Sequence, residues 1–218
     1  MADISVYLFD AVDQLDASFV ANQIPRLPAF RRNQCRRFHH QADQATCLIA
    51  YLLLAEGLSD RNGMPRPEVF TYDETGKPSI ETGGVFFSLS HCRRGVVCAL
   101  SACEVGVDIQ DIRPFDSAVA RRVCTNAELM CLARSNEPAD LFCQMWTAKE
   151  SYGKALGVGV VGVLRQDLPT TGFRHWRGPD YWLTTYCDDP DARTVIHTVA
   201  GFDTWDIGGD IDELTDLT

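Results

Sequence analysis

The sequence lacks the features of membrane-spanning and secreted proteins. Its 218 residues contain no uninterrupted apolar run of the roughly 20 residues that a transmembrane helix needs. The longest candidate, residues 47–58, is interrupted by Glu56 and Gly57. The first residues, MADISVYLFDAVDQLD, carry acids and no basic segment ahead of an apolar one, unlike a secretory signal. We therefore expect a cytoplasmic protein that does not act at a membrane.

Paired cysteines and clustered histidines are also missing. The nine cysteines are odd in number and include no CxxC pair, so neither a closed disulfide framework nor a zinc site is indicated. The five histidines, at positions 39, 40, 91, 175 and 197, form no cluster. The net charge of −10 argues against a general nucleic-acid binder.

One segment of the chain lacks acidic residues, and another lacks basic residues. Residues 17–42 contain no acid but carry five arginines, together with His39 and His40. Residues 203–218 carry six acids and no base, which makes an acidic C-terminal tail. A basic segment in an acidic protein suggests a local anion site. A solvated, arginine-rich helix explains the same pattern.

Hydrophobic periodicity predicts a mixed α+β fold. Residues 4–9, ISVYLF, have the composition of a strand, and ADQATCLIAYLLLAEGL has a helical apolar face with Asp43 as its expected cap. Strand-like runs follow: VFTYD, GVFFSLS, GVVCALS and EVGVDIQDI.

The second half of the sequence is predicted to be helical before it returns to strands. Thr125 and Glu128 have the spacing of a capping box. Pro138 suits the first turn of a long helix, and Gly157 suits its end. The pieces DYWLTTYC and RTVIHTVAGF are strand-like. We expect two α+β halves, residues 1–104 and 105–218, which meet near Glu104.

Four short elements contain residue types that serve in catalysis or ligand binding, although each element has an ordinary structural explanation when taken alone. Asp108 lies in an apolar strand, where a carboxylate needs a cation or donors unless it faces solvent at the strand end. GKP is a turn signal. FSLSH ends a strand before two arginines, without the GxSxG of a hydrolase. Glu150 and Lys154 have the i,i+4 spacing of a common helix ion pair.

Taken together and in order, these elements resemble the 4′-phosphopantetheinyl transferases of the longer, Sfp type. The family pattern combines (V/I)G(I/V)D with a later (W/F)(S/T)xKE(S/A)xxK. This chain has VGVD at residues 105–108 and WTAKESYGK at residues 146–154. It also has CRRF, GKP and FSLSH upstream, and the resemblance covers roughly residues 26–160.

The resemblance implies a pseudo-dimer of two similar α/β halves, each a small, mostly antiparallel sheet with packed helices. Coenzyme A would lie in the cleft between the halves. The enzyme would transfer the phosphopantetheine arm to a serine of an apo acyl carrier protein or of a peptidyl or aryl carrier domain, and release 3′,5′-ADP. Mg²⁺ is the implied metal, with Mn²⁺ as an alternative, and a monomer is expected because the second half takes the place of a partner subunit.

The resemblance also implies roles for individual residues. Asp108 and Glu150 would hold the metal, and Glu150 would accept the serine proton. Lys154 would contact the pyrophosphate, with Lys149 as a weaker candidate. The remaining implied coenzyme A contacts are Lys77 and Pro78 at the adenine, Ser90 and His91 at the phosphates, and Arg31 with Arg32 at the 3′-phosphate.

Three positions depart from the family pattern. Gln110 stands where many members have a third metal carboxylate, and a glutamine can bind a metal only through its carbonyl or a water. Gln34 and Thr46 stand where basic residues are often found. Metal affinity and the choice between Mg²⁺ and Mn²⁺ therefore remain open, as does the grip on the 3′-phosphate.

Three other functions are compatible with parts of the sequence. The first is a non-catalytic relative that binds coenzyme A or a carrier. The second is a metal-dependent phosphodiesterase, which would need more metal ligands than the histidines offer. The third is a structural interaction module. The sequence does not identify the carrier, but residues 115–129, with Arg121 and Arg122, are a candidate docking segment for an acidic one.

Overall fold

The computed structural model describes residues 3–81 and 84–202. The predicted acidic tail from residue 203 therefore lies outside the described residues. No helix within those ranges is long and apolar enough to cross a membrane. In chain order the elements up to the middle of the chain are β1 (Asp3–Phe9), α1 (Ala17–Gln23), α2 (Ala29–Arg36), α3 (Gln41–Asn62), β2 (Thr71–Tyr72), β3 (Pro78–Ser79), β4 (Phe86–His91) and β5 (Val96–Ser101).

The rest of the chain alternates strands and helices in the order β6 (Val105–Asp111), α4 (Ser117–Val123), α5 (Asn126–Arg134), α6 (Pro138–Leu156), β7 (Phe173–Arg177), β8 (Tyr181–Cys187) and β9 (Arg193–Thr198). The expected α+β class, with small antiparallel sheets and packed helices, is confirmed. Strand β7 has no counterpart among the predicted strands, because FRHWR is too polar to give a strand pattern.

The first sheet has the strand order β4-β5-β1-β9 and is covered by helix α3. Helix α3 is buried on more than the single apolar face that the sequence predicts, since Tyr51 and Leu54 are as fully enclosed as Leu48. Gly57 is required for this packing, because a Cβ at that position would lie 2.4 Å from Cδ1 of Leu100. The helix therefore lies directly on strand β5.

The second sheet has the order β6-β8-β7, is antiparallel throughout, and is covered by helix α6. The helix backbone approaches β6 at Gly106, where a Cβ would lie 1.8 Å from the carbonyl oxygen of Ser151. Because strand side chains alternate between faces, Asp108 lies on the same face of the sheet as Gly106, beneath α6. The glycine of VGVD thus allows the helix to approach its aspartate.

The caps of the second-half helices agree with the sequence. The Thr125–Glu128 capping box is present, Pro138 begins α6, and Gly157 ends it with a left-handed φ of 70°. The prediction of Asp43 as the cap of α3 is wrong. That helix begins at Gln41 with His40 at the capping position, and Asp43 lies in its first turn, where its charge still favours the helix dipole.

The last strand crosses between the predicted halves. The boundary at Glu104 separates β5 from β6, which belong to different sheets. Strand β9, however, leaves the second half and pairs in parallel with β1. Phe202 follows it into the first core, where its ring packs at a tilt against that of Phe9 with 5.1 Å between the centroids. The chain after residue 105 therefore builds both sheets.

Candidate functional site

The two sheets meet where strand β4 lies beside strand β6. The backbone N–H of Val107 donates to Oγ of Ser88 at 3.1 Å, and Oγ of Ser90 donates to Oδ1 of Asp108 at 2.6 Å. The alternating serines of FSLSH thus face the second half, and their small side chains allow the two strands to approach. The elements FSLSH and VGVD are one structural unit, although the sequence separates them.

Helix α6 adds a cation to this unit. The ammonium of Lys154 donates to Oδ1 of Asp108 at 2.7 Å, to Oγ of Ser90 at 2.8 Å and to the carbonyl of Val107 at 3.1 Å. These bonds use all three donors of a lysine. Asp108 is only 5% exposed, and a carboxylate so buried needs such a partner.

The second oxygen of Asp108 has no such partner. Oδ2 is buried and accepts no hydrogen bond from any residue in the described ranges. Buried polar atoms in native proteins nearly always have a partner, and an orphaned carboxylate oxygen carries negative charge into the site. A cation is the group that this atom fits.

Glu150 lies one helical turn before Lys154 on α6. Burial raises the pKa of its carboxyl above the ordinary value, the charge of Asp108 raises it further, and Lys154 opposes both effects. The two carboxylates are therefore in electrostatic contact. Residues 3–81 and 84–202 contain no group of three or more His, Cys, Asp or Glu side chains that could hold a metal unaided. Two carboxylates suit Mg²⁺ that is also bound by substrate phosphates.

A cleft of about 210 Å³ opens beside Ser90 and continues between α2, α3 and β4. Its charged lining includes Arg31, which is 5% exposed. The guanidinium donates to the carbonyl of Cys47 at 3.1 and 2.6 Å and to Oε1 of Gln34 at 2.8 Å, which leaves two of its five N–H groups for a ligand. The full lining is Arg31, Gln34, Phe38, Asp43, Thr46, Cys47, Ala50, Leu89, Ser90 and His91.

His91 borders the same cleft at the end of β4. Partial burial lowers the pKa of its imidazole, and the charge of Lys154 lowers it further. A neutral imidazole presents one donor and one acceptor, and a bound anion would favour its protonation. The structure thus brings together Asp108, Glu150, Lys154, Ser90, His91 and Arg31.

Two predicted contacts point elsewhere. Arg32 is the neighbour of Arg31, yet its guanidinium donates to the carbonyl of Pro25 at 3.0 Å and lies outside the cleft lining. Lys149 is fully buried and forms an ion pair with Glu128 at 3.1 Å, while its ammonium also donates to the carbonyl of Gln166. Lys149 and Glu150 are consecutive in α6, so their side chains lie on different faces of the helix, and Glu150 is the one in electrostatic contact with Asp108.

Lys77 and Pro78 line a separate cleft of about 410 Å³ beside β3 and β4. The ammonium of Lys77 is paired with Glu104 and donates to the carbonyl of Ala155 at 2.8 Å. The GKP turn is therefore attached to the C-terminal end of α6, close to Lys154 in the chain.

Gln110 lies on the same strand face as Asp108 and lines a third cleft, of about 310 Å³. Phe142 and Trp146 of α6 form its apolar wall. This cleft lies near the carboxylates in the chain, because Gln110 follows Asp108 along β6 and Trp146 precedes Glu150 along α6.

Apart from Thr46, sequence reasoning missed the part of α3 that lines the Arg31 cleft. Asp43, Thr46, Cys47 and Ala50 all face it. Their i, i+3, i+4, i+7 spacing is a helix face, but it mixes acid, hydroxyl and thiol, so it carries no apolar signal. The backbone carbonyls of Cys47 and Val107 accept hydrogen bonds from Arg31 and Lys154, and such backbone contacts cannot be predicted from a pattern of side chains.

Comparison with known proteins gives one consistent family. A sequence profile of the 4′-phosphopantetheinyl transferase superfamily matches residues 104–207. The 4′-phosphopantetheinyl transferase Sfp of Bacillus subtilis (strain 168) is 31% identical over 134 residues, which are 60% of this chain and 60% of Sfp. The 4′-phosphopantetheinyl transferase psf-1 of Bacillus pumilus is 30% identical over 201 residues, covering 84% of this chain and 85% of psf-1. The match thus spans somewhat less than two thirds of Sfp and most of psf-1.

Proposed function

The chain belongs to the 4′-phosphopantetheinyl transferase superfamily, and from that premise we propose that it transfers the 4′-phosphopantetheine arm of coenzyme A to a serine of an apo carrier protein. The observation that carries the proposal is the unpartnered Oδ2 of Asp108, a carboxylate in electrostatic contact with Glu150 and hydrogen-bonded to Ser90, which lines the Arg31 cleft. Cations and a cation-seeking carboxylate in one place suit a pyrophosphate better than an uncharged substrate.

The nucleotide end of coenzyme A would bind in the Arg31 cleft. The two free N–H groups of Arg31 and the imidazole of His91 are donors for a phosphate, and a guanidinium pairs with phosphate oxygens through parallel hydrogen bonds. Arg32 and Lys149 are not part of this proposal, since their contacts lie elsewhere. Adenine contact by Lys77 and Pro78 stays a prediction, because their cleft is a separate one.

The metal would be held by Asp108 and Glu150, with the amide oxygen of Gln110 as a third ligand. When bound, Mg²⁺ or Mn²⁺ would neutralise charge that develops on the phosphates. Lys154 positions Asp108, because its three donors are used by Asp108, Ser90 and the carbonyl of Val107. It would therefore act on the pyrophosphate through its charge.

The reaction would begin with Glu150 as the proton acceptor for the serine hydroxyl. Burial and the charge of Asp108 raise the pKa of Glu150 in the metal-free protein, and a bound cation would oppose that shift, so the role rests on the position of Glu150 beside Asp108. The serine oxygen forms a bond to the phosphorus that bears the pantetheine arm, and the bond from that phosphorus to the bridging oxygen breaks. The electron pair of that bond leaves with 3′,5′-ADP. Glu150 keeps the proton until solvent takes it.

The pantetheine arm and the carrier would lie on the other side of the carboxylates. The Phe142–Trp146 wall is apolar and suits an uncharged arm. Val119 lines the same cleft and is 40% exposed on helix α4, which also carries the exposed Arg121 and Arg122, and Met130 is 56% exposed on helix α5. An acidic carrier with an apolar contact patch would fit that surface.

The direct test is to incubate the protein with coenzyme A, Mg²⁺ and several apo carriers of different pathways, and to weigh each carrier by mass spectrometry. We expect a phosphopantetheine adduct on at least one carrier and none with Glu150→Gln. Glu137→Gln, at the exposed start of the same helix, is the matched control and should retain activity. Coenzyme A binding without any adduct would instead support a non-catalytic relative. Sedimentation of the protein would test the predicted monomer.

A further inference from the structure

A row of hydrogen-bonded side chains runs beneath the carboxylates, between α6 and the second sheet. Oγ1 of Thr147, the threonine of WTAKES, lies 2.7 Å from Oγ1 of Thr184 on β8. Nδ1 of His175 on β7 lies 3.0 Å from the same Thr184 oxygen. Both threonines are 0% exposed. None of these groups has a role in the proposed chemistry.

The hydrogen bonds of the row all run in one donor-to-acceptor direction, from His175 to Thr184 to Thr147. Thr147 donates its proton to the carbonyl of Gln144 at 3.0 Å, so its oxygen must accept from Thr184. Thr184 has then used its own proton and accepts from His175. Partial burial lowers the pKa of His175, which leaves a neutral ring with its proton on Nδ1. Both buried hydroxyls of the row are therefore satisfied, and satisfied buried polar groups favour one arrangement of the elements that carry them.

The position of the row relates it to the metal site. Thr184 is the register partner of Asp108 across β6 and β8, so the two side chains are neighbours on one face of the sheet. Thr147 precedes Glu150 by three residues and lies on the same side of α6. The Thr147–Thr184 hydrogen bond therefore joins the cross-strand neighbour of Asp108 to the residue one helical turn before Glu150.

We propose that Thr184, with Thr147 and His175, is a positioning group that sets the separation of Asp108 and Glu150, and with it the affinity of the site for a divalent cation. The proposal rests on the proposed function for the identity of the site. The backbone contact of Gly106 with Ser151 fixes how closely α6 approaches the sheet, and the Thr147–Thr184 bond adds a polar contact beside the two carboxylates. Groups hydrogen-bonded directly to metal ligands typically contribute about 10- to 100-fold in metal affinity, and this row, which acts on the elements that carry the ligands, is expected at the lower end of that range.

The test compares two neighbouring threonines of β8. Thr184→Val removes the hydroxyl without changing the shape of the side chain. Thr185→Val is the matched control, because Thr185 is also 0% exposed, is paired with Val107 on the opposite face, and its Oγ1 has no partner among the described residues. Mn²⁺ binding to each protein in complex with coenzyme A is measured by the loss of the free-ion paramagnetic resonance signal. Coenzyme A binding is measured separately, in the presence of a chelator.

We expect Thr184→Val to weaken Mn²⁺ binding about 10-fold or more, to leave metal-free coenzyme A binding unchanged, and to raise the metal concentration that half-saturates transfer. Thr184→Ser should restore all three values, and Thr185→Val should match the wild type. His175→Leu, at a partly exposed position, provides a second variant should Thr184→Val fold poorly, with a smaller shift in the same direction. Wild-type Mn²⁺ affinity in the Thr184→Val or His175→Leu protein would overturn the proposal. If the wild type transfers nothing, the proposed function is refuted instead, and the Mn²⁺ affinities of the variants still test the positioning role of Thr184.

Discussion

Oδ1 of Asp108 lies 2.7 Å from the ammonium of Lys154, while Oδ2 of the same buried carboxylate has no hydrogen-bond partner among the described residues. Lysine and serine thus hold one oxygen and leave the other without a partner. A buried acceptor without a partner destabilises the fold by about 1–3 kcal/mol, and a cation bound at Oδ2 would offset that cost.

Replacing Asp108 by Asn should therefore remove metal binding and transfer together. Asparagine keeps the size of the side chain but removes the charge that attracts a cation. We expect transfer to fall at least about 100-fold, the loss seen when one preorganised polar group is removed from a catalytic site. Single-turnover transfer and Mn²⁺ titration would measure the two losses. Asp167→Asn, at an exposed position, is the control; wild-type Mn²⁺ affinity in Asp108→Asn would remove Asp108 from the metal site.

Glu150→Gln should stabilise the metal-free protein at neutral pH. Burial and Asp108 raise the pKa of Glu150, so the folded state holds this proton more tightly than the unfolded state does. The stability that the protonated carboxyl contributes is lost as pH rises through the raised pKa, and glutamine avoids that loss. Thermal unfolding in chelator should show a higher melting temperature for the variant at neutral pH. The two curves should converge below the ordinary glutamate pKa.

The same melts with metal and coenzyme A added should reverse the order, since only the wild type gains stability from the bound ion. Identical melting temperatures at every pH would mean that Glu150 is not strained by its surroundings, contrary to its position beside Asp108.

Arg31→Met should selectively weaken recognition of the 3′-phosphate of coenzyme A. A hydrogen bond to a charged group contributes about 1.5–3 kcal/mol, so KM for coenzyme A should rise about 10- to 100-fold. KM for dephospho-coenzyme A, which lacks that phosphate, should change much less. Arg32→Met is the matched control, because its guanidinium contacts the carbonyl of Pro25 outside the cleft. An equal rise for both substrates would indicate that Arg31 supports only the structure of the cleft.

Lys149→Met should affect stability rather than substrate binding. The ammonium is fully buried against Glu128, and the loss of one partner of a buried ion pair destabilises a protein by about 3–5 kcal/mol. Denaturant unfolding should detect this loss, while the KM for coenzyme A of the folded variant should match the wild type. A large rise in that KM at unchanged stability would return Lys149 to the phosphate site.

Gln110→Glu should increase the affinity for the metal. Gln110 lies on the same strand face as Asp108, so a carboxylate there would add a negative charge beside the ion. We expect transfer to reach half-saturation at a lower Mg²⁺ concentration, and we would measure it for Mg²⁺ and Mn²⁺ side by side. Gln110→Ala supplies the control for side-chain loss. No change in either variant would show that this position does not touch the metal.

Local patterns determined much of the fold before any contact was known. The capping box at Thr125, the proline and glycine that bound α6, and the strand on either side of Asp108 all follow from interactions within a few residues. The ordered motifs also predicted the residues that meet, because Ser90, Asp108 and Lys154 are all within them. The sequence alone could not decide whether Glu150 and Lys154 form an ordinary helix pair.

Tertiary structure decided that question, because it brings Asp108 to Lys154 and leaves Glu150 beside them. It also gave different contacts to cations that the sequence assigned to one site: Arg31 and Arg32 at the 3′-phosphate, and Lys154 and the weaker candidate Lys149 at the pyrophosphate. Which way a charged side chain faces depends on the rotation of its helix about its axis, and packing at contacts such as Gly106 on Ser151 sets that rotation. Local sequence determined the elements and their residue types, whereas long-range packing decided which charges share a site.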